Sequence, residues 1–315
     1  MSHKKSYTTE EIADILKVSK LTVYDLIKKG KLAAYRVGRQ MRVDEADLEK
    51  FKWNAKEKQP TTNESSRLPI LSPNHFHDPF TNIRSIIISG QDPSLDILSR
   101  HLDNSVDYFR PLRSYASSLN GIISQYNGEV DIASVHLFDG ETSTFNLPYL
   151  KKLLVSHSFI VIRFINRWAG FYVKHGNPKK IISWQDIQRS DIKLLNREIG
   201  SGARTLLDEH LRMNNITIQS IYGYEEVATS HFSVAVGIAQ NKADFGIGME
   251  KINYPSGIDF LPLVKENYDL VILRSSANEQ LIQLVVELLK TKELKNELSA
   301  GGYDISETGK IIYSQ

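Results

Sequence analysis

The 315-residue chain has no cysteine. That excludes disulfides, thiolate metal ligation and a cysteine nucleophile. It also lacks any stretch near the roughly 18 consecutive apolar residues of a membrane span. The opening "MSHKKSYTTEE" has no apolar signal-peptide core. These absences lead to the expectation of a cytoplasmic protein with no membrane attachment. Net charge is only +2, but it is unevenly spread. Residues 1–58 carry 14 Lys+Arg against 9 Asp+Glu, or +5, and taking these from the totals of 39 and 37 leaves 25 against 28, or −3. The basic end is where contact with a polyanion is expected. The length suits one small domain and one large one.

The basic end has readable punctuation. Thr8 and Glu11 fit a capping box ahead of Ile12, Ala13 and Leu16. A turn at Lys17–Val18 leads to Ser19, a cap for a second helix with Val23, Leu26 and Ile27 inward and Gly30 at its end. "AAYRVGRQMRV" reads as a hairpin turning at Gly38-Arg39, and "DEADLEKF" as a third helix from Asp44. Two short helices joined by a tight turn form a helix-turn-helix. The second helix would present Lys20, Thr22, Tyr24, Lys28 and Lys29 to a major groove, and the hairpin adds Arg36, Arg39, Gln40 and Arg42 as a basic wing. A small helical protein-interaction module is the plainer alternative.

Residues 7–51 resemble the excisionase/MerR-type winged helix-turn-helix, through "TTEEIADILKVSKLTVYDLIKKGKLAAYRVGRQMR". The resemblance implies double-stranded DNA as partner, read by Lys20, Thr22, Tyr24, Arg39 and Arg42.

Residues 54–74, "NAKEKQPTTNESSRLPILSPN", are polar, contain three prolines and read as a linker. We place a DNA-binding domain at 1–55, a linker at 56–79 and a ligand-binding domain at 80–315. His75, His77 and Asp78 are conceivable metal ligands, more simply incidental at a linker end, so no metal site is assigned.

From Arg84 onward strands and helices alternate: "SIIISG", then "DPSLDILSRHLDN" with Asp92 as cap, then "DYFRPLR", "SSLNGIISQYNG" and "VDIASVHL". This predicts doubly wound α/β structure with mostly parallel sheets. Long strand-rich segments near 159–174 and 260–275 are natural crossings between two lobes. Lobe one is then about 80–160 plus 272–315, and lobe two about 166–260. Ligands of such folds sit where strand ends meet helix starts.

"LLNREIGSGARTLLDEHL", residues 194–211, places Gly200, Ser201 and Gly202 between an apolar strand-like run and a helix. No Lys-Ser/Thr follows the glycines, so it is not a Walker A loop, and it lacks the third glycine of a dinucleotide fingerprint. What remains is a helix start capped by Ser201, with a positive dipole end and Arg204 able to fork toward an oxyanion or carboxylate. A space-saving turn with Arg204 in a surface salt bridge is the alternative. Ser89-Gly90, Ser117-Ser118 and Thr229-Ser230-His231 sit at comparable strand ends and helix starts. Converging on one cleft, they would form a polar cage for a small anionic or zwitterionic ligand.

As a whole, residues 84–304 resemble the type 2 periplasmic-binding-protein-like domain of soluble regulators, related to molybdate-type binding proteins. The carriers are the stretch above, "GYEEVATSHFSVAVGIAQNKADFGIG", "GIDFLPLVKENYDLVILRS" and "NGEVDIASVHLFD". The expected architecture is therefore a small winged helix-turn-helix domain plus an α/β two-lobed periplasmic-binding-protein-like domain. The resemblance implies cleft positions at Ser89, Ser118, Ser201, Arg204, Ser230 and His231, and the glycines Gly90 and Gly202 complete the expected ligand set. Ala203 stands where the family has threonine, and Trp168-Ala169 where it has "QG".

Together these features predict a ligand-responsive transcriptional regulator, acting as a homodimer on a palindrome. The effector is a small anion or zwitterion, with molybdate and tungstate as candidates, and no cofactor is expected. No catalytic residue is assigned, because Ser230 with His231 is the one thin nucleophile–base pairing. An enzyme or accessory protein of molybdenum-cofactor biosynthesis and an excisionase-like architectural protein are the alternatives.

Overall fold

The computed structural model describes residues 6–28, 32–38, 40–45, 47–48, 51, 83–250 and 256–315. The chain divides into two units, Met1–Pro69 and Ile70–Gln315.

The first unit contains β1 (Ser6–Thr8), α1 (Thr9–Leu16), α2 (Lys20–Lys28), β2 (Tyr35–Val37) and β3 (Gln40–Asp44). Thr8 and Glu11 form the capping box of α1, and Lys17 at φ 55° ends that helix. The Ser19 hydroxyl accepts from the Thr22 amide at 3.2 Å, opening α2. Ile12, Val23, Leu32, Val43 and Leu48 bury their side chains in one core, flanked by Leu26 and Ile27. Gly38, at φ +61°, turns β2 into β3. β1 pairs antiparallel with β3, an addition to the hairpin that the sequence reading lacks. Asp44 closes β3, paired with Ser6, and the described residues that follow it, Glu45, Asp47, Leu48 and Phe51, are helical, as expected of the third helix. Lys29, Gly30, Arg39, the 56–79 linker, His75, His77 and Asp78 lie outside the described residues.

The second unit runs β4 (Arg84–Ser89), α3 (Ser94–Ser105), β5 (Phe109–Ser114), α4 (Ser118–Tyr126), β6 (Ile132–Val135), β7 (Phe138–Asp139), β8 (Thr144–Phe145) and α5 (Leu147–Leu153). Next come β9 (Phe159–Lys174), β10 (Asn196–Arg197), α6 (Gly202–Met213), β11 (Val227–Ala228), α7 (His231–Ala239), β12 (Phe245–Met249) and β13 (Ile258–Leu273). α8 (Glu279–Leu288), α9 (Lys292–Ala300) and β14 (Ile311–Ser314) close the chain.

β9 and β13, sixteen residues each, pair along their whole length. At one end β13 adds β6, followed by β4 and β5. At the other end β9 adds β12. Each end buries its own core, Ile86, Leu95, Phe164 and Leu270 on one side and Phe171, Leu206, Leu207 and Phe245 on the other. Two lobes therefore share a pair of through-running strands.

The expectation of mostly parallel sheets needs correction. β4 pairs parallel with β5 and β6, but β13–β6, β13–β9, β12–β9 and β14–β9 are all antiparallel. The chain leaves the first lobe along β9 and returns along β13, so these neighbours must run in opposite directions. The strand read into "IKLLN" is also shorter. Only Asn196–Arg197 pairs as β10, and Leu194 makes a single bridge to Phe245.

Candidate ligand site between the lobes

Helix starts from both lobes face one cavity of about 20 Å³. Gly90, Gln91 and Asp92 follow β4, Ser117 and Ser118 open α4, and Ser134 and His136 come from β6 and the residue after it. From the second lobe come Arg197, Ser201 and Gly202 at the start of α6, and His231 at the start of α7. Arg167 and Tyr268 project from the two long strands.

The helix starts are not equivalent. Ser201 Oγ accepts from the Arg204 amide, and Ser230 Oγ from the Ser233 amide. Ser117 occupies the cap position of α4 without making such a bond, and its buried Oγ has no hydrogen-bond partner. A buried hydroxyl facing a cavity without a partner costs about 1–3 kcal/mol unless something there satisfies it. Gly202 lets the lobes meet closely. A Cβ there would collide with the His136 ring and lie 2.6 Å from the His136 carbonyl oxygen.

Charge inside the site is tightly paired. The Arg167 guanidinium, 4 % exposed, donates to Asp92 and Glu266 and lies over the Tyr268 ring, 4.5 Å from its centroid. Asp92 Oδ1 also accepts from the Ser94 amide at 2.7 Å and the Tyr303 hydroxyl at 2.9 Å. Glu266 Oε2 lies 3.1 Å from His136 Nδ1. Burial works against the Glu266 carboxylate, yet Arg167 and His136 outweigh it and bring its pKa down to about 2. Arg197 donates to Glu198 at 2.7 Å and across the cleft to Gln91 Oε1 at 2.6 Å. Burial, with Arg197, Arg167 and His136 nearby, keeps the pKa of His231 well below the ordinary histidine value.

Of the residues expected at the ligand, Gly90, Ser118, Ser201, Gly202 and His231 line this cavity. Ser230 lines two adjoining hollows together with Gln91. Ser89 sits behind the wall, its buried hydroxyl beneath Gly121. Arg204 departs from expectation. Its guanidinium stacks 3.9 Å from the Tyr224 ring centroid, bonds Asp208 at 3.2 Å and the Arg197 carbonyl at 3.3 Å, and stays out of the cavity wall. The i,i+4 partner Asp208 draws it along its own helix. Nor do Ser230 and His231 form a nucleophile–base pair, since the Ser230 hydroxyl bonds Ser233 and His231 Nδ1 has no partner. Among the described residues no group of three or more His, Asp or Glu side chains could hold a metal ion.

The arginines that do reach the cavity, Arg167 and Arg197, were not singled out from sequence. A signal existed for Arg167, which is a charge inside the apolar run "SFIVIRFINRWAG". Asp92, whose negative charge would oppose an anion, is neutralised by that arginine.

In the first unit Lys20, Thr22, Tyr24 and Lys28 are all exposed on α2. Lys20 pairs with Glu10, and the Thr22 hydroxyl bonds that of Ser19 at 2.8 Å. Arg36 is exposed on β2, while Arg42 is half-buried and donates to Ser6 Oγ at 3.2 Å.

Comparison with known proteins accounts for both units. The PBP superfamily domain matches residues 99–290, more than half of the chain. The chain belongs to the PBP superfamily. A helix-turn-helix domain matches residues 6–56. An uncharacterized Bacillus subtilis (strain 168) protein, YvgK, is 46 % identical over 313 residues, covering 99 % of each chain. Solved structures share the PBP-type fold at low identity. A putative phosphate ABC transporter substrate-binding protein with bound phosphate from Clostridium perfringens is 12 % identical (TM-score 0.52, 70 % of this chain and 98 % of that one). A hydrogen-peroxide-bound cysteine-to-serine mutant of Corynebacterium glutamicum OxyR is also 12 % identical (TM-score 0.51, 93 % and 89 %). The protein thus joins a helix-turn-helix domain to a PBP-like domain. No helix among the described residues is long and apolar enough to cross a membrane.

Proposed function

We propose that this protein is a ligand-responsive DNA-binding regulator in which a small anion or zwitterion, held between the lobes, alters operator affinity. One observation carries the reading. Helix starts from both lobes line a single cavity in which the buried Ser117 hydroxyl has no partner. Backbone amides at helix starts favour negative ligand atoms, and Arg197 adds a guanidinium from the opposite wall. Ser118, Ser201, Gly202, Gly90 and His231 complete the contact set, with Arg204 supporting it from behind through the Arg197 carbonyl.

Coupling requires the ligand to favour one DNA-relevant state over another. A ligand touching both lobes does this by stabilising their closed arrangement. A single winged module contacts too few bases for a tight site, so a homodimer on a palindrome in the cytoplasm fits the reading. Lys20, Thr22, Tyr24, Lys28, Arg36, Arg39 and Arg42 then face DNA.

The test is a melting panel on the full chain with molybdate, tungstate, sulfate, phosphate, amino acids and carboxylic acids. A binder raises the midpoint with concentration by mass action and shifts operator affinity in a gel assay. A panel without a single shift refutes the reading.

A further inference from the structure

The cavity between the lobes and the space beside it differ in size and in lining. With Gln91 and Arg197 bonded across the cleft at 2.6 Å, the cavity measures about 20 Å³. That is room for about one or two water-sized groups. The two oxygens of a carboxylate suit it, whereas the four oxygens of a tetrahedral oxyanion exceed it. Whatever else the ligand carries must lie outside.

Two hollows adjoin the cavity. One, of about 470 Å³, shares Gln91 and Ser117 with it and has a mainly polar wall that includes Asn120, Glu198 and Thr229. The other, of about 800 Å³, shares Gln91 and His231 with it and presents Pro93, Ile97, Phe232, Met249 and Tyr303. This apolar wall is drawn from both lobes. Pro93 and Ile97 belong to the start of α3 and Tyr303 follows α9, while Met249 ends β12 and Phe232 is the second residue of α7. Phe232 is 54 % exposed, although Val234, Ala235 and Ile238 of the same helix are buried in a core. A large aromatic ring held out of that core and beside the cleft gains when a ligand's hydrocarbon removes it from water. Ligand pockets combine such apolar walls with a few polar groups that fix orientation. Adjacent residues of α7 divide these tasks here, since His231 lines the cavity and Phe232 the hollow.

We propose that the ligand is a carboxylic acid with an apolar body, such as an aryl or branched alkyl group. Its carboxylate enters the cavity, against the buried, unpartnered Ser117 hydroxyl and the α4 and α6 starts. Its body lies in the larger hollow, against Phe232 and Ile97. The inference rests on the anion-sensing reading above and narrows it, placing sulfate, phosphate, molybdate and tungstate among the weak binders.

Calorimetric titration of the full-length protein at pH 7 compares acetate, isovalerate, phenylacetate and 2-phenylethanol with sulfate, phosphate and molybdate. Burying a phenyl-sized group strengthens binding by roughly ten- to hundredfold. Phenylacetate is therefore expected to exceed acetate and every inorganic anion by about that factor, with isovalerate between. Phe232→Ala should narrow the phenylacetate-to-acetate ratio several-fold, and Phe232→Leu, which keeps an apolar contact, should restore part of it. Melting curves of the unliganded variants check that both fold. An unchanged ratio in folded Phe232→Ala, or a ratio narrowed instead by Tyr115→Ala in the smaller hollow, overturns the placement of the body. 2-Phenylethanol binding as tightly as phenylacetate overturns the inference from its acidic end. Acetate or an inorganic anion binding as tightly as phenylacetate overturns the inference and leaves the anion reading standing. Failure of the whole panel overturns both.

Discussion

Gln91 Oε1 accepts a hydrogen bond from the Arg197 guanidinium at 2.6 Å, and its amide nitrogen donates to Glu198 at 3.1 Å. Gln91 follows β4 of the first lobe and Arg197 ends β10 of the second, so these bonds cross the cleft. A second crossing runs from the Leu119 amide to the Gly200 carbonyl at 3.0 Å. The lobes are latched beside the cavity.

Gln91→Ala should loosen that latch without touching either core. Losing two hydrogen bonds, both to charged groups, costs about 1–3 kcal/mol of closure. Ligand affinity measured by titration is expected to fall roughly five- to hundredfold, while DNA affinity without ligand stays unchanged. Unaltered ligand affinity would remove the latch from the binding step.

Asp92→Asn should destabilise the second unit. The substitution keeps an oxygen for the Ser94 amide and the Tyr303 hydroxyl but leaves Arg167 one carboxylate short, among side chains that are almost fully buried. Breaking such a pair costs about 3 kcal/mol, read as a lower denaturant midpoint at unchanged slope. A midpoint equal to the parent's would mean that Glu266 alone suffices for Arg167.

Acidification should weaken the fold in two stages. Burial keeps His231 and His210 less basic than in the unfolded chain, and His210 stacks 4.0 Å from Trp184. Their folded pKa values are depressed, so no penalty exists above about 6.5, and it grows as pH falls and the unfolded chain takes up protons. Glu266, held near 2 by Arg167 and His136 against the cost of its burial, adds a second loss from about 4.5 downward. Urea midpoints at pH 7.5 and 5.5 should differ, and His210→Phe, which keeps the stack, should shrink the difference. Identical pH slopes for parent and variant would contradict the histidine assignment.

Arg36→Ala removes an exposed charge from β2 that makes no core contact. Operator binding should weaken several-fold, and the slope of log affinity against log salt should flatten by about one. An unchanged slope would take the wing away from the phosphates.

Local patterns in the chain were informative where the physics is local. The capping box at Thr8 and Glu11, the Ser201 and Ser230 caps and the turn at Gly38 depend on neighbours three residues away or fewer, so their spacing alone exposes them. Arg204 shows the limit. Its place on the first turn of α6 was legible, but Asp208 and the Tyr224 ring decide where its guanidinium goes. Sheet direction failed for a related reason. Strand and helix alternate along the chain much as they would in a parallel sheet, and only the return path of β13 against β9 makes these pairings antiparallel.

The sequence by itself determined two domains, a basic helix-turn-helix and helix starts rich in serine and glycine, because capping, amphipathic periodicity and charge distribution act over a few residues. Folding in three dimensions decided that Arg167 and Arg197 face the cavity in place of Arg204, and that Asp92 is neutralised by Arg167 from 75 positions away. Pairing between buried charges depends on which strands the sheet brings side by side, and no local spacing encodes that.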